Sequence, residues 1–414
     1  MPPTVAKLER EGNTRCRGVR AVATAAPARY APRTMRPTEL RVALFSGNYN
    51  YVRDGANQAL NLLVAHLLDQ GAAVRIYSPT TATPAFAPTG DLVSMPALAL
   101  PGGRGEYRIG TGLDAAARRD LAAFAPNIVH VSAPDLLGHA ALTYARRRGI
   151  ASVASLHTRF ETYLRYYGLG FAEPLIEQIL KRFYNRADRV VVPSPSIRTL
   201  LHDWGVTSPI AIWSRGIDHD RFHPSRRSLD WRRSLGIADD EVALGFLGRL
   251  VKEKGLGIFA KVTAELRRRG VRHKVLVVGK GPAEQWFAEQ APGAVFAGFQ
   301  SGDELGRAVA SMDVFFNPSV TETFGNVTTE AMAAGVPVVA ARATGAVDLI
   351  EDDIDGYLVE PTDIAGYADA IERIVADAGL RRRLGEAGHA KAASYRWDTA
   401  NQAVLDTYLE LLRG

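Results

Sequence analysis

Short apolar runs alternate with longer helix-period segments from about residue 41 onward, and the whole alternation starts over near residue 242. The first series predicts strands at 41–46, 74–78, 127–131, 152–157, 189–193 and 210–213, separated by helical patterns such as GANQALNLLVAHLLDQ and LLGHAALTYARRR. After a polar stretch at 218–237, the second series predicts strands at 242–248, 274–279, 294–298, 313–317, 336–341 and 356–359. Strands that alternate with helices pair in parallel through crossover connections. The expected architecture is therefore α/β: two facing, doubly wound domains at 39–213 and 214–396, with a cleft beyond the carboxyl ends of their strands. A last helical pattern, within 397–414, carries Ala403, Leu405, Tyr408, Leu409 and Leu412 at helical positions and is expected to cross over toward the first domain.

Length agrees with two domains, since 414 residues exceed one ordinary core. No apolar run reaches the roughly 18 residues of a membrane span, which excludes an integral membrane enzyme. The net charge of +6 suggests a nucleic-acid partner until it is located along the chain. The first 40 residues hold eight basic and three acidic side chains, leaving 42 basic against 41 acidic in the rest. No nucleic-acid partner is expected of so neutral a body. Residues 1–38 read as a disordered basic tail, either a transit-like or interaction segment or the result of a start placed ahead of Met35. Cys16, in that tail, is the only cysteine, so no disulfide and no cysteine metal site is expected in the body. A cytoplasmic location fits.

Three stretches carry candidate chemistry. In TETFGNVTTEA, residues 321–331, Thr323 reads as an N-cap with Phe324 opening a helix that Gly335 and Pro337 end. The amides of Phe324, Gly325, Asn326 and Val327 then form an anion- or hydroxyl-binding terminus. Glu330 lies one turn after Asn326 on the same face, and Glu322 lies on the preceding loop. Carboxylates so placed suit the vicinal diols of a ribose and a sugar, although a solvated loop glutamate and a surface helix charge explain them equally well. In FLGRLVKEKG, residues 246–255, Arg249 and Lys254 flank a turn at a strand's carboxyl end where a diphosphate would sit, and Gly255 would let the backbone approach it. In SGNYNYVRDGANQ, residues 46–58, Gly47 and small polar neighbours let amides close on a ligand from the other side. This is not G-x-G-x-x-G, so a dinucleotide cofactor is disfavoured. GKGP at 279–282 is a weaker turn signal, with Lys280 toward the nucleotide.

Taken together, GRLVKEKG, VGKGP and ETFGNVTTE resemble the retaining nucleotide-sugar glycosyltransferases of family four, which have the GT-B fold of two facing Rossmann-like domains. WSRGIDHDRFHP, residues 213–224, with TETFGN, is similar to the subgroup of mannosyl-, glucuronosyl- and sulfoquinovosyl-transferases that build glycolipids. The resemblance implies transfer of a hexosyl group from a nucleoside-diphosphate sugar, GDP-mannose or a UDP-sugar, with retention of configuration and with neither metal nor cofactor. It implies that Arg249 and Lys254 neutralise the leaving diphosphate and that Glu330 holds the ribose. Glu322 and the amides of Phe324 to Asn326 would hold the donor sugar. His157 would reach the reacting centre, and Arg215 and Gly216 match a domain-junction turn. The two glutamates are then no glycosidase acid and base, because a diphosphate leaves without a protonating acid once its charge is met.

The acceptor side is expected in 158–188, where Arg159, Tyr163, Arg165, Tyr166, Tyr167 and Phe171 follow His157. Basic and aromatic side chains suit a membrane interface, and equally an inward-packed helix with solvated arginines. The resemblance favours a lipid acceptor and a peripheral position at the inner membrane face. A polysaccharide intermediate or soluble acceptor is the alternative, followed by a nucleotide-sugar epimerase and a non-catalytic binding protein.

Overall fold

A computed structural model of the chain describes residues 35–413, other than positions 53, 100–107, 167 and 169. Residues 1–34 of the basic tail, with Cys16, and Tyr167 lie outside the described residues, whereas Pro37–Glu39, partly within the expected tail, form a short helical turn. The first series of runs forms β1 (Arg41–Phe45), β2 (Ala73–Ser78), β3 (Asp91–Ser94), a separate antiparallel hairpin of β4 (Ala97–Ala99) and β5 (Arg108–Gly110), then β6 (Ile128–Val131), β7 (Ala151–Ser155), β8 (Arg189–Val192) and β9 (Ile210–Ile212). Seven of these pair in the order β3-β2-β1-β6-β7-β8-β9. The second series forms β10 (Ala243–Leu247), β11 (Lys274–Val278), β12 (Val295–Gly298), β13 (Val314–Asn317), β14 (Val338–Ala341) and β15 (Gly356–Val359), ordered β12-β11-β10-β13-β14-β15. Every pairing in the two large sheets is parallel.

Both faces of each sheet are covered, which is why its strands are continuous apolar runs. Side-chain alternation then feeds two cores from one strand. On β10, Leu244 and Phe246 pack with Phe259 and Tyr367 on one side, while Ala243 and Leu247 pack with Ala331 and Met332 on the other. Three helices of the first half that follow strands are pinned by a side-chain cap: Asp54, Asp135 and Ser194 accept from Asn57, Gly138 and Ile197.

The last helix, Trp397–Arg413, packs on the first sheet, where Ala400, Val404, Leu405, Tyr408 and Leu409 share a core with Val42, Leu44, Leu60 and Val64. Ala403, expected on that face, is exposed, because the buried stripe runs through Val404 instead. Gly216 makes this return possible: a Cβ there would lie 2.2 Å from the Trp397 amide nitrogen. Two further expectations need correction. β7 ends at Ser155, so His157 stands on the loop beyond it. β3 and the hairpin have no counterpart in the apolar pattern, being short and largely exposed.

The loops after the strands of one sheet meet those of the other. Thr323, beyond β13, donates to the His157 carbonyl beyond β7 at 3.0 Å, and Ser194, beyond β8, donates to the Thr323 carbonyl at 2.9 Å. Ser196 completes the contact, its amide donating to the Asp348 carboxylate at 3.1 Å and its Oγ accepting from the Gly345 amide at 3.1 Å.

Candidate active site

The turn after β10 carries Arg249 at its start and Lys254 at the end of a short helical turn, Lys252–Lys254. Gly255 follows with φ +76°, and a Cβ there would lie 2.7 Å from the Pro318 carbonyl. Its glycine is thus required by the approach to the loop after β13. That approach delivers Lys254 to Glu322, with Nζ and Oε1 2.7 Å apart. Burial would raise the Glu322 pKa, but Lys254 and Ser319 outweigh it and hold the group below the usual carboxylate range. Two residues assigned to different parts of a ligand are therefore in contact across 68 positions of sequence.

The helix after β13 runs Asn326–Ala333 and is shorter than expected. Gly325, in the left-handed region at φ +102°, is its N-cap, and Thr323 is instead occupied with His157. The side chain of Phe324 is buried against Tyr395 and Val327 packs against the same core, so from these two residues only the backbone faces the cleft. The amides of Phe324, Gly325, Asn326 and Val327 have no acceptor among the described residues. A Cβ on Gly55, which opens helix Gly55–Asp69, would lie 2.6 Å from Asn326 Nδ2. Two helix N-termini, one from each half, therefore converge, and their partial positive charges add at one point. Arg249 stands near the same place, because its charge acts on the Asp54 cap, whose pKa burial raises against that attraction.

The Glu330 carboxyl, on the same helix, has no hydrogen-bond partner among the described residues. Burial pushes its pKa up to about 8, with Arg221 opposing. Burial thus favours the protonated form of a carboxyl that no described side chain engages.

His157 is committed on both nitrogens. Arg215 Nη2 donates to Nδ1 at 2.9 Å, and Nε2 lies 2.8 Å from Ser155 Oγ. Burial, Arg215 and His130 hold its pKa well below the ordinary histidine value. A guanidinium only donates, so Nδ1 accepts and the single ring proton sits on Nε2. Ser155 in turn meets His130 Nε2 at 2.9 Å, and His130 Nδ1 lies 2.5 Å from the hydroxyl of Tyr408 on the last helix. Arg215 is 4% exposed, lies over the Trp213 ring at 4.9 Å, and bonds the carbonyls of Trp213 and Ser214. Burial brings its pKa down to about 9, and no carboxylate pairs with it among the described residues.

On the first sheet, a Cβ on Gly47 would lie 2.9 Å from Asp135 Oδ2. Asp135 was absent from the sequence reading although it sits, like Glu322, just after a strand and before a helix. Its other oxygen caps Gly138 at 2.7 Å, and burial pushes its pKa up to about 6. Of the acceptor-side residues, Arg159 turns inward, bonding Glu161 at 2.7 Å and Thr344 of the other half at 3.2 Å. Arg165 donates to Glu173 at 2.6 Å. Tyr163 and Tyr166 lie on helix Phe160–Tyr166, and their side chains fall outside the described ones. The sequence reading also missed the Ser194, Ser196 and Asp348 clasp, which no local pattern announces.

This arrangement can meet a diphosphate with two cations and two helix termini, and polyols with two glutamates. Residues 53–221 match the model of Glycosyltransferase Family 4, and residues 241–377 that of Glycosyl transferases group 1. A GDP-mannose-dependent alpha-mannosyltransferase of Mycolicibacterium smegmatis is 33% identical over 70% of this chain and 76% of its own. The chain belongs to glycosyltransferase family 4. A second GDP-mannose-dependent alpha-mannosyltransferase, from Corynebacterium glutamicum, is 30% identical over 70% of this glycosyltransferase and 69% of its own length. A sulfoquinovosyl transferase of Arabidopsis thaliana is 32% identical over 69% of the chain and 57% of its own. Among solved structures, sucrose-phosphate synthase from Thermosynechococcus elongatus superposes with a TM-score of 0.74 at 21% identity, covering 90% of this chain and 99% of that one. The glycosyltransferase has the GT-B fold, as its sequence suggested. None of its described helices is long and apolar enough to cross a membrane.

Proposed function

We propose that the enzyme transfers a hexosyl group from GDP-mannose or a UDP-sugar to a lipid hydroxyl, with retention of configuration and without a metal. The observation that carries this reading is the convergence of the Gly55 and Asn326 helix termini beside Arg249 and Lys254, with the uncommitted Glu330 carboxyl one turn away. Arg249, Lys254 and the open amides stabilise the diphosphate as the bond from C1 to the phosphate oxygen breaks, in place of a metal. The acceptor oxygen forms its bond to C1 on the same face, and the departing phosphate oxygen takes the acceptor's proton. Glu322, held as a carboxylate, accepts from the sugar hydroxyls, and Glu330 accepts from the ribose. His157 is no general base in this scheme, since both ring nitrogens are engaged. It acts as a positioning residue that orients Arg215.

Names of relatives support a glycolipid acceptor: the sulfoquinovosyl transferase and the mannosyltransferases come from the subgroup that the sequence resembles. A soluble phosphorylated polyol is the second reading, favoured by a D-inositol 3-phosphate glycosyltransferase of Stackebrandtia nassauensis, 30% identical over 66% of both chains. The test is thermal stability against GDP, UDP, ADP and their sugar conjugates. A ligand at 100 times its Kd stabilises by about 2.7 kcal/mol. The expected result is a shift with one nucleotide that Glu330→Ala abolishes. Stability unmoved by every nucleotide overturns the reading.

A further inference from the structure

One side of helix Glu173–Tyr184 is buried through Leu180, Phe183 and Tyr184. Its other side, with the turn before it, presents a ridge in which Phe171 is 83%, Leu175 63% and Ile179 40% exposed, at four-residue spacing. Arg182 continues the ridge one turn further and is exposed. Nothing in the described chain covers these side chains, and three large apolar groups in line are more than scattered surface hydrophobics.

Against the inner side of the same helix lies helix Leu136–Arg148, its His139 ring packed edge-on to Phe183 at 4.9 Å. Arg186, just beyond the ridge helix, donates to Thr143 Oγ1 at 2.6 Å and to His139 Nδ1 at 2.8 Å. Thr143 also lines a depression of about 470 Å³ whose rim is Arg118, Arg147 and Arg148. The Arg148 guanidinium stacks over Tyr144 at 5.2 Å within it. No carboxylate pairs with Arg118, Arg146, Arg147, Arg148, Arg182 or Arg186 among the described residues, whereas nearby Arg75 has both Asp91 and Asp120. The acids of the ridge helix are Glu173, engaged with Arg165, and Glu177.

An uncovered apolar ridge next to unmatched guanidiniums is satisfied by one kind of surface, in which an apolar layer lies just beneath a plane of phosphates. We propose that this face docks on an anionic lipid bilayer, with phosphate head groups entering the arginine-rimmed depression and the Phe171, Leu175 and Ile179 side chains entering the interfacial layer. The proposal rests on the lipid-acceptor reading above, since docking here holds the first sheet's helices, and with them the acceptor side of the cleft, at the membrane surface. An acidic protein surface would meet the arginines but leave the ridge in water.

The experiment is co-sedimentation of the full chain with phosphatidylcholine vesicles, with and without phosphatidylglycerol. Two variants are compared with it: Arg146→Ser/Arg147→Ser/Arg148→Ser, and Leu175→Ser/Ile179→Ser. Binding is expected only with phosphatidylglycerol. It falls about a hundredfold in the triple variant, from roughly fivefold per basic residue at a charged surface. The double variant loses binding as well, while both keep the melting temperature and the nucleotide shift of the parent. That shift, read on the same samples, reports the donor site separately, so a failed donor reading does not masquerade as failed docking. Equal vesicle binding by parent and triple variant overturns the proposal, as does no binding to anionic vesicles. Loss of binding to soluble polyphosphate in the triple variant with vesicle binding intact also overturns it, making the depression a site for a free anion.

Discussion

Around the second sheet several arginines share or gather carboxylates: Arg227 and Arg232 share Asp313, Arg269 reaches Glu265, Asp369 and Glu372, and Arg342 has Asp352 and Glu360, while Arg267, Arg272, Arg383 and Arg396 stand without one among the described residues. On the outer helices of the first sheet, Arg146, Arg147 and Arg148 stand in line with no carboxylate partner among the described residues. The contrast says little about stability, since an exposed pair contributes about 0–1 kcal/mol. It says more about where each half remains unsatisfied. The second half leaves its needs inside the cleft, at the amides of Phe324 to Val327 and at Glu330. The first half leaves its needs on an outer face. In the readings proposed above, one half is finished by a small ligand and the other by a surface.

The largest expected effect comes from removing a cleft cation in the second half. Lys254→Ala is expected to lower transfer of labelled sugar into a lipid extract by about 10²–10³-fold, the usual cost of losing one group that stabilises developing charge. The same change strands Glu322, which is 13% exposed at its side chain, without its ion-pair partner. Its carboxyl then rises in pKa and the melting temperature drops. Adding Glu322→Gln restores stability and leaves transfer low. Near-normal transfer in Lys254→Ala removes the phosphate assignment and, with it, the idea that the second half is completed by its ligand.

That pairing marks where sequence reasoning ends. The strands of the two sheets were legible because burial on both faces leaves each as an unbroken apolar run, and β3 was not because a four-residue edge strand with exposed ends holds only Leu92 and Val93 against the cores. The spacing of Glu322 and Glu330 is local and survived intact. The contact between Lys254 and Glu322 depends on Gly255 approaching Pro318, a tertiary fact. Capping rules chose Thr323 because hydroxyls cap helices, but its hydroxyl is held by His157 from the other half, and the left-handed turn at Gly325 starts the helix. Arg159 has a carboxylate two residues on in Glu161, a signal that it would turn inward.

A smaller and more specific effect concerns Glu330. Its folded pKa of about 8 lies above that of an unfolded glutamate, so the native state binds the proton more tightly. The free protein therefore loses stability as pH rises from about 4.5 to 8, and the loss is complete above that range, opposite in sign to an ordinary paired carboxylate. Glu330→Gln flattens this slope. Ribose hydroxyls donate best to the ionised form, so nucleotide binding at pH 7 is expected to release a proton. Calorimetry in two buffers of different ionisation enthalpy measures that release. If no proton is released and the slope is the same in Glu330→Gln, then Glu330 is satisfied in the free protein and the second half is less open than the comparison holds.

The smallest expected effect tests whether the last helix, which belongs to the second half by sequence and to the first by packing, only docks. Its Tyr408 hydroxyl closes a chain in which Arg215 donates to His157, His157 to Ser155, and the His130 ring bridges Ser155 and Tyr408. Burial takes the His130 pKa down to about 3, so the ring is neutral and its Nδ1 shares one hydrogen bond with Tyr408. Tyr408→Phe leaves that buried nitrogen without a partner, at a cost of about 1–3 kcal/mol. The melting temperature should fall by a few degrees. The His157 tautomer, however, is set at its other end by Arg215, which cannot accept a proton bond. Transfer and the nucleotide shift should therefore stay within twofold of the parent. A tenfold loss of transfer in a folded Tyr408→Phe protein, reversed by no change in donor concentration, places the helix in control of Arg215 and makes the two halves one site rather than two.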